Sequence, residues 1–232
     1  MHLTPVRIAD AQVTTGEAIE VRNSYGGAIV GQVPLCGPEQ VDEACRAAAG
    51  ALAHDDFPQH QRARVLEVAA ALLRDRVEDF ARTLMTESAK PIRTARVEAT
   101  RCVDTLTFAA VEAGAWPGRW SLTRRSPATT SSCVPCASPS ASSPRSPPST
   151  FPLNLVAHKL VPAIAAGCPV VLKPAPQTPL SGITLVELLV EAGMPDDWVS
   201  VVTDRGNPAR ADQRGSDLPR GPAAVWRRAR RW

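Results

Sequence analysis

The sequence predicts an α/β protein: a partial, Rossmann-like doubly wound parallel sheet preceded by a helical block. Three observations carry this reading. The stretch Phe151 to Thr203 reads as helix, short strand, loop, helix, short strand, which is the pattern of a strand–helix–strand crossover in a parallel sheet. Residues from Pro38 to Gly114 repeat apolar side chains at helical spacing, with Arg and Asp/Glu read as the outward residues of the two helices over Arg62 to Lys90. Before them, residues 1–35 alternate in the manner of strands and turns.

Taken in order, Ile19 and Val21 alternate, Tyr25-Gly26-Gly27 marks a turn, and Ile29, Val30 and Val33 continue beyond it. A helix follows with Pro38 in its first turn and Val41, Ala44, Cys45, Ala48 and Leu52 on one face. Cys45 is a core residue in this reading. His54, Asp55, Asp56 and His60 fall in a polar link between helices, and a solvated loop accounts for them better than a metal site. Arg62 to Arg76 and Val77 to Lys90 are the next two helices, burying Leu66, Ala69, Ala70, Leu73, Phe80 and Leu84. Pro91 opens a long helix to Gly114, with Ala95, Cys102, Leu106 and Ala109 apolar. Beyond the break described next, a helix over Leu155 to Ala166 aligns Val156, Leu160, Ile164 and Ala165, and Gly167 and Pro169 stop it. Val170 to Leu172 is a buried strand. The following helix has Thr178 as its N-cap, Pro179 at its first position, and Gly193 and Pro195 beyond its end. Val199 to Val202 is the second strand.

The composition breaks between Arg119 and Thr150. This segment holds ten serines and six prolines in 32 residues, no acid, and only Leu122 and Val134 as larger aliphatics. No helix or buried strand can be written through it, because prolines remove donors and too little apolar surface is available to bury. Its Cys133-Val134-Pro135-Cys136 lacks a second pair and a neighbouring histidine, so neither a redox nor a zinc role is assigned. Asp204 to Trp232 has the same character, with eight arginines and no periodic apolar face. The chain contains only three lysines, Lys90, Lys159 and Lys173, among 26 basic residues, a usage that suggests GC-rich coding. Out-of-frame translation of such DNA yields Ser, Pro, Arg and Ala, so a compensated frameshift over 119–150 and a second frame loss after Thr203 are expected. The resulting division is 1–118 (strands and helical block), 119–150 (disordered), 151–203 (the crossover segment) and 204–232 (an arginine-rich disordered tail).

Other classes are constrained by composition. The longest apolar run, Leu160 to Leu172, is broken by Pro162, Gly167 and Pro169, so no membrane span is expected. The six scattered cysteines and an N-terminus without an apolar signal region point to a cytoplasmic protein without metal or disulfides. Arg227 to Arg231 beside Trp226 and Trp232 offers an alternative as a nucleic-acid or interaction tail. A net charge of only +3 and no recognisable nucleic-acid fold weigh against it.

Lys173 sits at the carboxyl end of the first strand of the crossover, where open α/β sheets bind ligands. Pro174 and Pro176 keep the turn after it extended. An ammonium there could donate to ribose hydroxyls or a phosphate, and a solvated loop lysine is the alternative. Here Val170-Val171-Leu172-Lys173-Pro174-Ala175-Pro176-Gln177-Thr178-Pro179, preceded by Phe151-Pro152-Leu153-Asn154, resembles the cofactor segment of the NAD(P)-dependent aldehyde dehydrogenases. Glu87-Ser88-Ala89-Lys90-Pro91 is similar to that family's E-[ST]-G-K-P element, with Ala89 where glycine is usual. Val21-Arg22-Asn23-Ser24-Tyr25-Gly26-Gly27 resembles its N-P-x-[TD]-G opening. The resemblance covers about Val21 to Trp116 and Phe151 to Thr203.

It implies the N-terminal, cofactor-binding part of the aldehyde dehydrogenase fold, with Lys173, Pro174, Ala175 and Pro176 at NAD or NADP. Over Phe151 to Pro179 it most resembles the lactaldehyde or non-phosphorylating glyceraldehyde-phosphate type. Phosphate cradling would rest on Lys173 and one helix N-terminus, since no glycine-rich phosphate loop is present. Intact relatives attack an aldehyde with a thiolate, pass hydride to the cofactor and hydrolyse the thioester. The departures are specific. Thr150 stands where the family has the asparagine that donates to the oxyanion, and Pro176 stands where many NAD-using members have a glutamate. The nucleophilic cysteine, the general-base glutamate and the family's oligomerisation elements are not found. The expectation is a truncated fragment without catalytic residues and inactive alone. A stand-alone nucleotide-binding module remains as the alternative beside the interaction tail.

Overall fold

The computed structural model describes residues 3–54, 56–115, 136–137 and 151–205. The chain begins with two antiparallel hairpins. Strands β1 (Val6–Ile8) and β2 (Ala11–Val13) pair through a tight turn at Ala9, and β3 (Ala18–Arg22) pairs with β4 (Ile29–Pro34). The β3–β4 turn is the one expected at Tyr25-Gly26-Gly27. Asn23 Oδ1 accepts from the Tyr25 and Gly26 amides at 3.0 and 2.8 Å, and Gly27 takes φ +68°. The first hairpin is too short to announce itself by alternation, yet Val6 and Ile8 are fully buried.

Four helices follow: α1 (Pro38–His54), α2 (Gln59–Asp75), α3 (Val77–Ser88) and α4 (Ile92–Ala115). The expected helices are all present with small shifts at their ends. His60 lies inside α2 rather than in a link. The 24-residue α4 packs against α2, α3 and, farther along the chain, α5 (Pro152–Ala165). The outward reading of charged residues over 62–90 holds for most of them and fails at Arg62 and Glu87, and α4 buries a further carboxylate. Arg62, Glu87 and Glu98 are buried, the two glutamates completely.

The sheet is parallel, in the order β5 (Cys136–Ala137), β6 (Val170–Leu172), β7 (Val199–Val201), with Leu172 opposite Val201. Helix α5 lies between β5 and β6, and α6 (Leu180–Glu191) between β6 and β7, so the crossover expected from Phe151 to Thr203 is formed. Successive strand residues point to opposite faces. Every residue of β6 and β7 is buried, so both faces of the sheet are covered, as in a doubly wound arrangement. Helices α5 and α6 touch each other and the helical block, whereas α1 packs on β6, β7 and the 3-10 turn Asp196–Trp198. Trp198 closes the core there, meeting Phe57 edge-on with ring centroids 4.8 Å apart.

Cys136–Ala137 corrects one expectation. No strand was written through 119–150, and these two residues pair with Val171 and Leu172. Strand pairing needs only backbone groups, so a segment poor in apolar side chains can still add to an existing edge. The other residues of 119–150, with Cys133 and Thr150 among them, and residues 206–232 lie outside the described residues. The expectations of disorder and of frame loss there are therefore not addressed by the structure.

Two helix ends carry backbone strain in opposite senses. Gly167, after α5, takes φ +81°, and a Cβ there would sit 3.1 Å from Arg62 Nη1. Ala89, closing α3, takes φ 55° without being glycine, a left-handed conformation that costs an L-residue roughly 1–2 kcal/mol. Urea unfolding is expected to show Ala89→Gly stabilised by ~1 kcal/mol and Gly167→Ala destabilised by ~1–3 kcal/mol. Gly16→Ala, where a Cβ meets nothing within 4 Å, should change stability by less than ~0.5 kcal/mol. An unchanged midpoint for Ala89→Gly would show that the αL end is unstrained.

Candidate functional site at the carboxyl edge of the sheet

The segment after β6 leaves the sheet at its carboxyl edge as Lys173-Pro174-Ala175-Pro176. Lys173 is partly exposed, Pro174 is buried, and Ala175 and Pro176 are half-buried. The Thr178 amide donates to Ala175 O at 3.1 Å, closing the turn that leads into α6. Pro174 packs closely against Gly182 on the first turns of that helix. The four residues assigned from sequence thus form one continuous lip.

The N-terminus of α6 is built differently from the expectation. Pro179 takes the N-cap position with helical dihedrals, and Thr178 makes no capping bond; its buried hydroxyl has no hydrogen-bond partner. The cap comes from another element. The Leu180 and Ser181 amides donate to Glu87 Oε2 and Oε1 at 2.9 and 3.2 Å. Glu87 ends α3, which points its carboxylate at the α6 dipole. A carboxylate outcompetes a hydroxyl as the acceptor for these amides. Those two N–H groups are therefore not available to a phosphate, and of the two cradling groups expected from sequence only Lys173 remains.

The N-terminus of α5 is capped in the same manner. Leu153 and Asn154 amides donate to Glu98 Oε1 at 2.9 and 3.1 Å, while Glu98 Oε2 is paired with Lys90. The Lys90 ammonium lies 4.5 Å from the Phe151 ring centroid. Glu87, Lys90 and Glu98 together hold the two turns flanking β6. The sequence reading placed Glu87 and Lys90 in a family element without a role, and it did not single out Glu98. A glutamate amid apolar residues at helical spacing was the available signal.

Burial pushes the Glu87 carboxyl up to about 7, helped by the charge of Glu98, while the bonds from Ser181 and Leu180 pull the other way. Two of the described cysteines are held away from the thiolate form. Burial raises Cys45, and burial with the nearby Glu98 pushes Cys102 up to about 12. Among the described residues no group of three or more His, Cys, Asp or Glu could hold a metal ion, and no helix is long and apolar enough to cross a membrane.

Lys173 does not project alone. Its Nζ pairs with Asp204 Oδ1 at 2.9 Å, with side-chain exposures of 31% and 45%. Asp204 follows Thr203, which is fixed on three sides: its hydroxyl donates to Pro34 O at 2.5 Å, its carbonyl accepts from the Cys36 amide at 2.9 Å, and its hydroxyl lies 3.6 Å from Cys36 Sγ. The β4 end therefore sets the β7 end, and the β7 end sets Asp204. The sequence reading assigned Asp204 to the tail, and only strand pairing reveals its place beside Lys173.

The family model described as aldehyde dehydrogenase family matches residues 11–212. The 3-sulfolactaldehyde dehydrogenase of Priestia megaterium is 37% identical over 198 residues, covering 83% of this chain and 40% of that protein. Among solved structures, the NADP-dependent glyceraldehyde-3-phosphate dehydrogenase of Bacillus halodurans C-125, complexed with NADP, superposes with a TM-score of 0.72 at 28% identity. That match covers 91% of this chain and 46% of the other. An NAD-dependent aldehyde dehydrogenase from Sinorhizobium meliloti gives 0.70 at 26% identity, covering 89% and 42%. The chain spans about 40% of the length of the curated relatives it matches.

The Glu87 carboxyl yields a pH test. Its folded value, about 7, lies above the ordinary 4.5, so folding takes up a proton between them. The resulting stabilisation is complete below about pH 4.5 and is lost as pH rises through about 7. The unfolding free energy is expected to fall by on the order of 3 kcal/mol over that interval, and Glu87→Gln should flatten the profile. Equal slopes for the two proteins between pH 5 and 8, in urea melts, would remove Glu87 as the cause.

Proposed function

The chain belongs to the aldehyde dehydrogenase family, and we propose that it acts as the cofactor-binding part of such an enzyme, holding NAD or NADP through Lys173 and the Pro174-Ala175-Pro176 lip without oxidising aldehyde itself. The observation that carries the reading is the position of Lys173. Its ammonium stands partly exposed at the carboxyl end of β6, where a doubly wound sheet receives a dinucleotide.

The residues present fit one portion of that ligand better than another. Lys173 can donate to ribose hydroxyls, and the two prolines hold its backbone so that little order is lost on binding. The α6 amides of Leu180 and Ser181 are already bonded to Glu87, so this lip offers them to no pyrophosphate. The cofactor, when bound, would supply a hydride acceptor. What the described residues supply is orientation.

The chemistry of aldehyde oxidation has no visible support in the described part. Burial raises the Cys45 and Cys102 thiols, and in the sequence outside the described residues Thr150, at the oxyanion asparagine position of the resemblance, offers a shorter hydroxyl in place of an amide. The Ser/Pro/Arg-rich composition of 119–150 supports a shifted reading frame between two segments that resemble the family. Reading the resequenced gene over codons 119 to 150 in its other two frames tests this directly. If neither encodes an apolar strand running into an asparagine before Phe151, the shifted frame is overturned.

For binding, calorimetric titration of the whole chain with NAD+ and NADP+ is expected to show saturable uptake that Lys173→Ala weakens about tenfold or more, as loss of a charged hydrogen bond should. No aldehyde-dependent reduced cofactor should accumulate. Turnover by the verified chain, or dinucleotide affinity unaffected by Lys173→Ala, would overturn the reading.

A further inference from the structure

We propose that Asp204 makes this edge selective for a dinucleotide whose ribose carries a free 2′-hydroxyl, that is, for NAD over NADP. The inference rests on the reading of Lys173 as the ribose anchor and adds a residue that sequence resemblance did not supply.

The geometry begins with the sheet. Strands β6 and β7 are parallel neighbours with Leu172 opposite Val201, so the segments that follow them leave at the same edge. The Val202 amide extends the pairing by donating to Leu172 O at 2.9 Å. Buried Thr203 is then bonded to Pro34 and Cys36, so Asp204 emerges from a fixed backbone rather than from a free tail. Its carboxylate reaches Lys173 Nζ at 2.9 Å while both side chains stay open to solvent.

With one donor given to Asp204, the ammonium keeps two donors and no acceptor next to a carboxylate with acceptors and no donor. Each hydroxyl of a vicinal diol can both accept and donate, so a ribose with free 2′- and 3′-hydroxyls can satisfy both partners. A 2′-phosphate cannot. It is a group of charge about −1.5 to −2 that the Asp204 carboxylate repels, and the Lys173 charge is already balanced by that carboxylate. The next cation along the chain, Arg205, pairs with Glu17 at 3.1 Å rather than with this edge. Pro176 adds no charge of either sign.

The test titrates the whole chain and its Asp204→Asn and Lys173→Ala variants calorimetrically with NAD+ and with NADP+, using thermal melts to confirm folding. The wild type is expected to prefer NAD+ by about tenfold or more, and Asp204→Asn to narrow that ratio by about tenfold, mainly through tighter NADP+ binding. Lys173→Ala should weaken both ligands. An unchanged ratio in Asp204→Asn, or a wild type that prefers NADP+, overturns the inference and leaves the Lys173 reading standing. Binding of neither dinucleotide by folded wild type overturns both.

Discussion

Two buried carboxylates tie this structure together. Glu87, at the end of α3, and Glu98, in α4, each accept two backbone amides from the first turn of a helix elsewhere in the chain. Those helices, α6 and α5, flank the central strand β6. A helix start leaves its first amides unpaired, and burying them without partners is costly. The glutamates remove that cost and lock the register between the helical block and the sheet. Their own burial is supportable because each carboxylate is filled with donors, four amides in all plus the Lys90 ammonium at Glu98. The arrangement is reciprocal: neither the helix starts nor the carboxylates could be buried alone.

This constraint decides what the carboxyl edge of the sheet can do. In many doubly wound proteins a helix N-terminus is the anion site. Here Glu87 occupies it at α6, and the charged side chains left at the strand ends are Lys173 and Asp204. The β3–β4 hairpin takes part as well, because Pro34 and Cys36 hold Thr203 and thereby aim Asp204. The Lys173–Asp204 ion pair is thus positioned through a second strand and a hairpin nearly 170 residues earlier in sequence.

The legible and illegible parts of the sequence divide along physical lines. The helices were readable because their periodicity and punctuation are local: Gly167 and Gly193 both take positive φ where a helix stop was expected. The strand at Val170 to Leu172 was readable because a short, wholly apolar run bounded by proline suits a strand buried on both faces. Thr178 misled as an N-cap because its local suitability was overridden by a better acceptor distant in sequence. Glu87 and Arg62 misled as surface residues, and Glu98 was passed over, because charge favours exposure unless a specific partner waits inside. Cys136–Ala137 escaped notice because its pairing depends on backbone groups and not on side-chain pattern.

By itself, then, the sequence determined the helices, the crossover around β6, the kinship with the aldehyde dehydrogenases and the candidate role of Lys173. Each of these is written in contiguous residues. The tertiary structure alone decided which carboxylates turn inward, that the α6 N-terminus is already filled, and that Asp204 stands beside Lys173. These are pairings between groups far apart in the chain. A charged residue's environment is set by what folding brings to it, and no local pattern encodes that partner.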